Sequence, residues 1–152
     1  MINIKRLLLP TDFSDASKNA LRYAIDLAKT YKAELHLLTV VEPVMYPAEM
    51  FGQTGLVDVE AVVDRAGHDD LAQWRETLVP KEIACTALVL HGKAYHEIVQ
   101  YAIDREIDLI VIATHGRSGV SRWVWGSVAE RILRTACVPV LMVRAPGCVP
   151  GI

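Results

Sequence analysis

Asp108-Leu-Ile-Val-Ile-Ala-Thr-His-Gly-Arg-Ser-Gly-Val-Ser-Arg-Trp-Val-Trp-Gly-Ser127 is the stretch whose reading decides the fold. Leu109 to Ala113 form a short apolar, β-branched run of the kind that fills a strand buried on both faces. A helical pattern begins near Val128. A buried strand that opens through glycines onto a helix start is how α/β proteins hold phosphate. Glycines let the backbone approach a ligand closely, and the first N–H groups of the helix face an anion. Nucleotide binding is the leading idea from this segment.

Outward from it, strand-like and helical runs alternate. Strands are predicted at Ile4 to Leu9, ended by Pro10, then at Glu34 to Val41, Ile83 to Leu90, Asp108 to Ala113 and Val138 to Val143. From Ser14, an N-cap type, Ala16, Ala20, Ala24, Leu27, Ala28 and Tyr31 recur at helical spacing, with Lys18, Arg22 and Lys29 falling elsewhere. Further helices are predicted over Val57 to Leu78, Ala94 to Arg105 and Val128 to Ala136. This alternation implies a doubly wound, five-stranded parallel sheet with helices on both faces. Pro43 to Gly55 reads as a long loop rich in Pro, Met and aromatic residues, a length usually reserved for function or mobility.

The 152 residues suit a single domain, taken as 1–146, with 147–152 as a short tail. At 52% hydrophobic and 22% charged, the chain is too apolar for disorder. A formal charge of −2 offers no electrostatic footprint for nucleic acid or an anionic membrane. The apolar stretch at the N-terminus is too short for a signal peptide, and no run reaches the roughly 18 apolar residues of a membrane span. A cytoplasmic location is expected. Cys85, Cys137 and Cys148 form neither a metal nor a redox spacing; the first two read as small core residues. His36, His68, His91 and His96 show no ligand spacing.

In an open parallel sheet, ligands bind beyond the carboxyl ends of the strands, where the strand order reverses. Pro10-Thr11-Asp12, Val40-Val41 and the glycine segment all fall at that edge. If the first and fourth strands are neighbours, Asp12 faces the Ala113–Gly116 turn across the crevice. A carboxylate there suits a ribose hydroxyl or a base amino group; glycine backbone, Ser127 and the helix start suit phosphates. Each residue has a second reading. Asp12, alone or with Ser14, caps the first helix, and Ser127 with Glu130 forms Ser-x-x-Glu, a capping-box signature. His115 is structural or a ligand contact, and Trp123 and Trp125 are packing residues before they are stacking ones. Arg117 and Arg122 are surface charges or balance an anion. No P-loop spacing and no Gly-x-Gly-x-x-Gly follows the first strand, which argues against a P-loop phosphotransferase and a dinucleotide dehydrogenase.

Taken together, these pieces resemble the universal stress protein family over essentially the whole chain. Leu8-Leu-Pro-Thr-Asp-Phe-Ser14 is similar to its opening, and Ala33-Glu-Leu-His-Leu-Leu-Thr-Val-Val-Glu-Pro43 to its second strand. Thr114-His-Gly-Arg-Ser-Gly119, Gly126-Ser-Val-Ala-Glu-Arg131 and Val138-Pro-Val-Leu-Met-Val-Arg144 are close to its signature. The resemblance implies a Rossmann-like, adenine nucleotide alpha hydrolase-like fold. Its ATP-binding branch carries Gly-x2-Gly-x9-Gly-Ser/Thr; Gly116, the nine residues Arg117 to Trp125, Gly126 and Ser127 fit, while Ala113 stands at the first glycine.

On that resemblance, adenine and ribose would lie against Pro10, Thr11, Asp12, Val40 and Ile112. The phosphates would meet His115, Gly116, Gly126, Ser127, Val128 and Ala129, with Mg²⁺ or Mn²⁺ on the phosphates. A homodimer through the last strand, Val138 to Arg144, is also implied, with an apolar edge that gains from pairing. The leading expectation is a cytoplasmic, homodimeric ATP-binding stress-response protein whose nucleotide occupancy sets conformation or partner choice. The alternative, favoured by Ala113, is a dimeric interaction protein without useful ATP affinity. A slow ATPase ranks third, because nothing marks a general base.

Overall fold

The computed structural model describes residues 1–43, 52–114 and 126–145. Its strands are β1 (Arg6–Pro10), β2 (Glu34–Val41), β3 (Cys85–His91), β4 (Leu109–Ala113) and β5 (Val140–Val143). They alternate with α1 (Asp15–Tyr31), α2 (Gly52–Thr77), α3 (Ala94–Asp104) and α4 (Ser127–Thr135). The strands form one five-stranded sheet in the order β3-β2-β1-β4-β5, with every neighbouring pair parallel. This is the doubly wound sheet that the alternation predicts.

Burial follows from that order. β1 lies at the centre, and Leu7, Leu8 and Leu9 are all fully buried because each face of the strand is covered. Leu7 and Leu9 point into a core shared with Leu35, Leu37 and Val111 and with Ala20, Leu21, Ala24, Leu71 and Trp74 of α1 and α2. Leu8 points the other way, into a core with Leu38, Ile110 and Ile112, where Ile98 and Ala102 of α3 and Ala129 and Ile132 of α4 close it. On α1, Ala16, Ala20, Ala24 and Ala28 form the buried stripe, as their spacing predicts; Tyr31 is exposed. The amino end of the sheet is tied by Asp108, whose Oδ2 accepts the N–H groups of Lys5 at 2.7 Å and Arg6 at 2.9 Å.

Several boundaries shift for local reasons. β1 continues through Pro10, which as the last strand residue needs no N–H; the Thr11 N–H reaches the Leu38 carbonyl at 2.8 Å instead. β3 starts at Cys85, because the Ile83 N–H closes a turn on the Pro80 carbonyl at 3.0 Å. β5 starts at Val140, after a proline that can accept from Ile110 N–H but cannot donate. α2 begins at Gly52, so Gly52 to Gly55 of the expected loop are helical; once the packed part of a helix exists, adding a residue costs far less than nucleating a turn. The rest of that loop, 44–51, lies outside the described residues, as do 115–125 and the tail.

The cysteines divide. Cys85 is half-buried, and burial pushes its thiol up to about 11, which makes it inert. Cys137 is exposed, which corrects its reading as a core residue: it sits in the turn between α4 and β5, not on the buried face of either.

Candidate functional site

β1 and β4 are neighbours, paired Leu7 with Leu109 and Leu8 with Ile110. The chain leaves β1 for α1 on one face and leaves β4 for α4 on the other. Their carboxyl ends therefore diverge into a crevice, the place where open α/β sheets bind ligands. The sequence-predicted candidates gather around it.

On the β1 side, Thr11 is buried and uses all its polar groups. Its N–H continues the ladder to Leu38, its carbonyl accepts the Thr39 hydroxyl at 2.9 Å, and its hydroxyl accepts the Phe13 N–H at 2.9 Å. Phe13 has φ 62°, uncommon for a bulky residue, and its ring meets Trp74 of α2 edge-on at 5.4 Å. That sharp bend brings Asp12 back towards the start of α1. Asp12 Oδ1 accepts the Ser14 N–H at 3.0 Å, the Ser14 hydroxyl at 2.6 Å and the Ser17 hydroxyl at 2.7 Å. Ser14 is the N-cap, its Oγ accepting the Ser17 N–H. The capping reading of Asp12 and its position at the crevice hold together: the carboxylate does the first while sitting at the second.

On the β4 side, Ile112 is buried against the α3–α4 face and pairs with Met142. Ala113 is the last strand residue, paired with Val143 and buried in the α1–α2 core. Thr114 donates its N–H to the Val143 carbonyl at 2.9 Å and accepts the Gly126 N–H on its own carbonyl at 2.7 Å. Gly126 is the N-cap of α4, and the first helical bond runs from Glu130 N–H to its carbonyl at 3.0 Å. The N–H groups of Ser127, Val128 and Ala129 thus precede the helix's own bonds and carry the positive end of its dipole. Ser127 is exposed, Val128 half-buried and Ala129 buried. Val40 lies near the carboxyl end of β2, half-buried on the α3 side.

Of the predicted residues, Pro10, Thr11, Asp12, Val40, Ile112, Gly126, Ser127, Val128 and Ala129 share this edge. His115 and Gly116 lie outside the described residues, as do Arg117, Arg122, Trp123 and Trp125. The capping-box reading of Ser127 and Glu130 is corrected. Gly126 takes the cap position, Ser127 is the first helical residue, and Glu130 pairs with Arg134 one turn on, at 2.9 Å. With its carboxylate engaged in an i,i+4 ion pair, Glu130 does not reach back to the helix start.

Sequence reasoning missed the polar residues that hold the edge in shape: Ser17, Thr39, Thr114 and Glu42, whose carboxylate accepts the Ala94 N–H at the start of α3 at 2.7 Å. The available signal was a hydroxyl inside a run otherwise made for burial, as at Thr39. Among the described residues, no group of three His, Cys, Asp or Glu side chains is placed to hold a metal ion, and no helix is long and apolar enough to cross a membrane.

The family model described as the universal stress protein family matches residues 3–144. A universal stress protein of Methanocaldococcus jannaschii is 34% identical over 145 residues, spanning 93% of this chain and 83% of its own. Among solved structures, the universal stress protein UspA from Lactobacillus plantarum has a TM-score of 0.80 at 26% identity, covering 95% of this chain and all of its own (100%). The universal stress protein from Archaeoglobus fulgidus in complex with dAMP has a TM-score of 0.60 at 21% identity, covering 94% and 99%. The chain belongs to the universal stress protein family.

Proposed function

We propose that this protein binds an adenine nucleotide, ATP with Mg²⁺ or Mn²⁺ on its phosphates, in the crevice between β1 and β4. The observation that carries the reading is the first turn of α4. Its N–H groups at Ser127, Val128 and Ala129 stand at the end of β4, pinned there by the Gly126–Thr114 bond, at the switch point of the sheet. The dAMP complex of the Archaeoglobus fulgidus relative supports an adenine ligand on this fold.

The residues present fit such a ligand. The nucleoside would lie against Pro10, Thr11, Asp12, Val40 and Ile112, with Asp12 accepting ribose or base donors. The phosphates would meet the α4 start, Ser127 and the His115–Gly116 segment. The cation would ride on the phosphate oxygens, which suits magnesium's habit of keeping few protein ligands. Alanine at 113 is compatible with this. The residue is extended strand, where no glycine conformation is needed, and its methyl group packs in the core with Leu9, Val111 and Val143.

As a whole, the protein acts as a cytoplasmic homodimer of the stress response, in which occupancy tunes conformation or partner binding. β5 is an edge strand, and its Leu141 is 36% exposed, which supports pairing of that edge. Binding ranks above hydrolysis because Asp12, the carboxylate at the crevice, is tied up by three donors and suits recognition better than proton abstraction.

Thermal unfolding of nucleotide-free protein with and without millimolar MgATP, with GTP as control, tests the reading. Ligand at about 100 times its dissociation constant adds about 2.7 kcal/mol, which raises the midpoint by about 5–10 °C in a domain of this size. A shift for ATP and none for GTP is expected. No shift with ATP overturns the reading in favour of an interaction protein without nucleotide.

A further inference from the structure

The amino end of the sheet, opposite the crevice, holds a polar cluster under the last turn of α3 that nucleotide binding does not use. His36 of β2 is 5% exposed and stands in register between Leu8 of β1 and Thr86 of β3. Tyr101 of α3 covers it, with the hydroxyl 2.8 Å from Nδ1 and the two rings edge-on at 5.8 Å. Nε2 has no hydrogen bond among the described residues. Glu34 Oε1 stands 3.5 Å from it and already accepts the Thr86 hydroxyl at 2.8 Å.

The surroundings of this imidazole resist a second ring proton. Burial is the largest effect and lowers its pKa; Glu34 works against that, and Arg6 and Arg105 reinforce it. The Arg105 guanidinium lies over the Tyr101 ring at 5.7 Å. Arg6 of β1 bonds the Arg105 carbonyl and the Glu106 carboxylate, each at 3.0 Å, while Asp108 takes the Lys5 and Arg6 N–H groups. Burial also raises the Tyr101 pKa, so its hydroxyl stays protonated.

Two kinds of polar tie therefore hold the last turn of α3 to the sheet. The Arg6 bonds are solvent-exposed, where such ties contribute little. The Tyr101–His36 bond is buried, where an unbalanced polar group costs most. With the turn down, His36 resists the proton; with the turn lifted, the ring meets water and takes it readily. Acid favours the state that binds the proton more tightly, which is the lifted one.

We propose that His36 and Tyr101 form an acid-released latch, through which falling pH frees the last turn of α3 from the amino end of the sheet. The chain thereby reads acidification directly, at the end of the strands remote from the crevice and whether or not nucleotide binds there.

Native-state hydrogen exchange on the full chain, corrected for the intrinsic pH dependence of amide exchange, tests the latch between about pH 5 and 8. The Arg105 amide bonds to the Tyr101 carbonyl. Its protection should be level above about pH 6.5 and fall by up to about tenfold per pH unit below it. A local opening exposes little surface, so this exchange should not respond to low urea, unlike that of the slowest core amides. The Ala136 amide, bonded to Ile132 at the end of α4 and remote from His36, should show no acid response. His36→Gln, which cannot titrate, should level the Arg105 profile. Tyr101→Phe keeps the ring and loses the hydroxyl, so Arg105 protection should drop by about tenfold already at neutral pH.

A level Arg105 profile in the unaltered chain overturns the latch. So does an acid response that survives His36→Gln, or an equal one at Ala136. Arg105 exchange as sensitive to urea as the slowest amides overturns it too, and makes His36 a residue of global stability alone. Should His36→Gln not fold, Tyr101→Phe decides: unchanged Arg105 exchange at neutral pH overturns the latch.

Discussion

The Gly126 N–H donates to the Thr114 carbonyl at 2.7 Å, binding the start of α4 to the end of β4. Thr114 in turn hangs on β5 through its N–H to Val143. The helix start is therefore positioned by the sheet, whatever path the chain takes between the two residues. If the proposed phosphate site lies here, this preorganisation means that it would lose little entropy when a ligand arrives.

Gly126 has φ −54° and ψ 131°, a conformation open to any residue. Gly126→Val consequently leaves the fold intact, costing about 1 kcal/mol as a poor N-cap and about 2–4 °C in midpoint. Its branched side chain stands where phosphate oxygens would approach, so the ATP-induced thermal shift disappears. A folded variant that keeps the shift refutes the phosphate assignment.

Leu141 lies on β5 between Val140 and Met142 and points to solvent from the edge of the sheet. Leu141→Asp places a charge where two copies would meet, and sedimentation velocity should show monomers. Because the side chain is outside the core, the unfolding midpoint at low concentration stays close to that of the unaltered chain. An unchanged dimer moves the interface elsewhere.

His36 is buried on the α3 side of β2, with Nδ1 2.8 Å from the Tyr101 hydroxyl and Nε2 3.5 Å from Glu34 Oε1. Nε2 is a buried atom with no hydrogen bond, so burial lowers the pKa of the imidazole below 6.5. Glu34 opposes this shift, while Arg6 and Arg105 reinforce it. The unfolded chain then binds the proton more readily than the folded one. Stability from this group is full above 6.5, declines as the pH falls through 6.5, and levels off below the folded value. Urea midpoints at successive pH values should show this decline, and it should shrink in His36→Gln. Equal slopes in both proteins would show that other groups carry the dependence.

Gly92 has φ 140°, a backbone region closed to residues with a side chain, at the turn from β3 into α3. An added Cβ would also stand 2.7 Å from Glu97 Oε1. Gly92→Ala should destabilise by about 1–3 kcal/mol, read as a lower urea midpoint at unchanged slope. A midpoint within error of the unaltered chain would show that the turn relaxes to another conformation.

Much of the fold was legible because the patterns that encode it are local. The alanine stripe of α1 and the apolar runs of β1, β2 and β4 depend only on spacing, and burial follows them closely. Gly126 and the helix start that follows it were legible for the same reason. What escaped were side chains whose partners lie on other elements or one helix turn away. The Ser17 hydroxyl meets Asp12 across the start of α1, and His36 meets Tyr101 of α3, pairings that no local spacing announces. Glu130 had two partners within reach of its spacing and took Arg134 over the helix start.

By itself, the sequence determined which segments become strands and helices, and that the strands are parallel and covered on both faces, since periodicity and apolar content are properties of each segment alone. Only the tertiary structure decided that β1 lies between β2 and β4. Every parallel strand offers the same backbone donors and acceptors, so the choice of neighbour comes from how the helices pack over the whole sheet. That choice is what brings Asp12 and the start of α4 to opposite walls of one crevice.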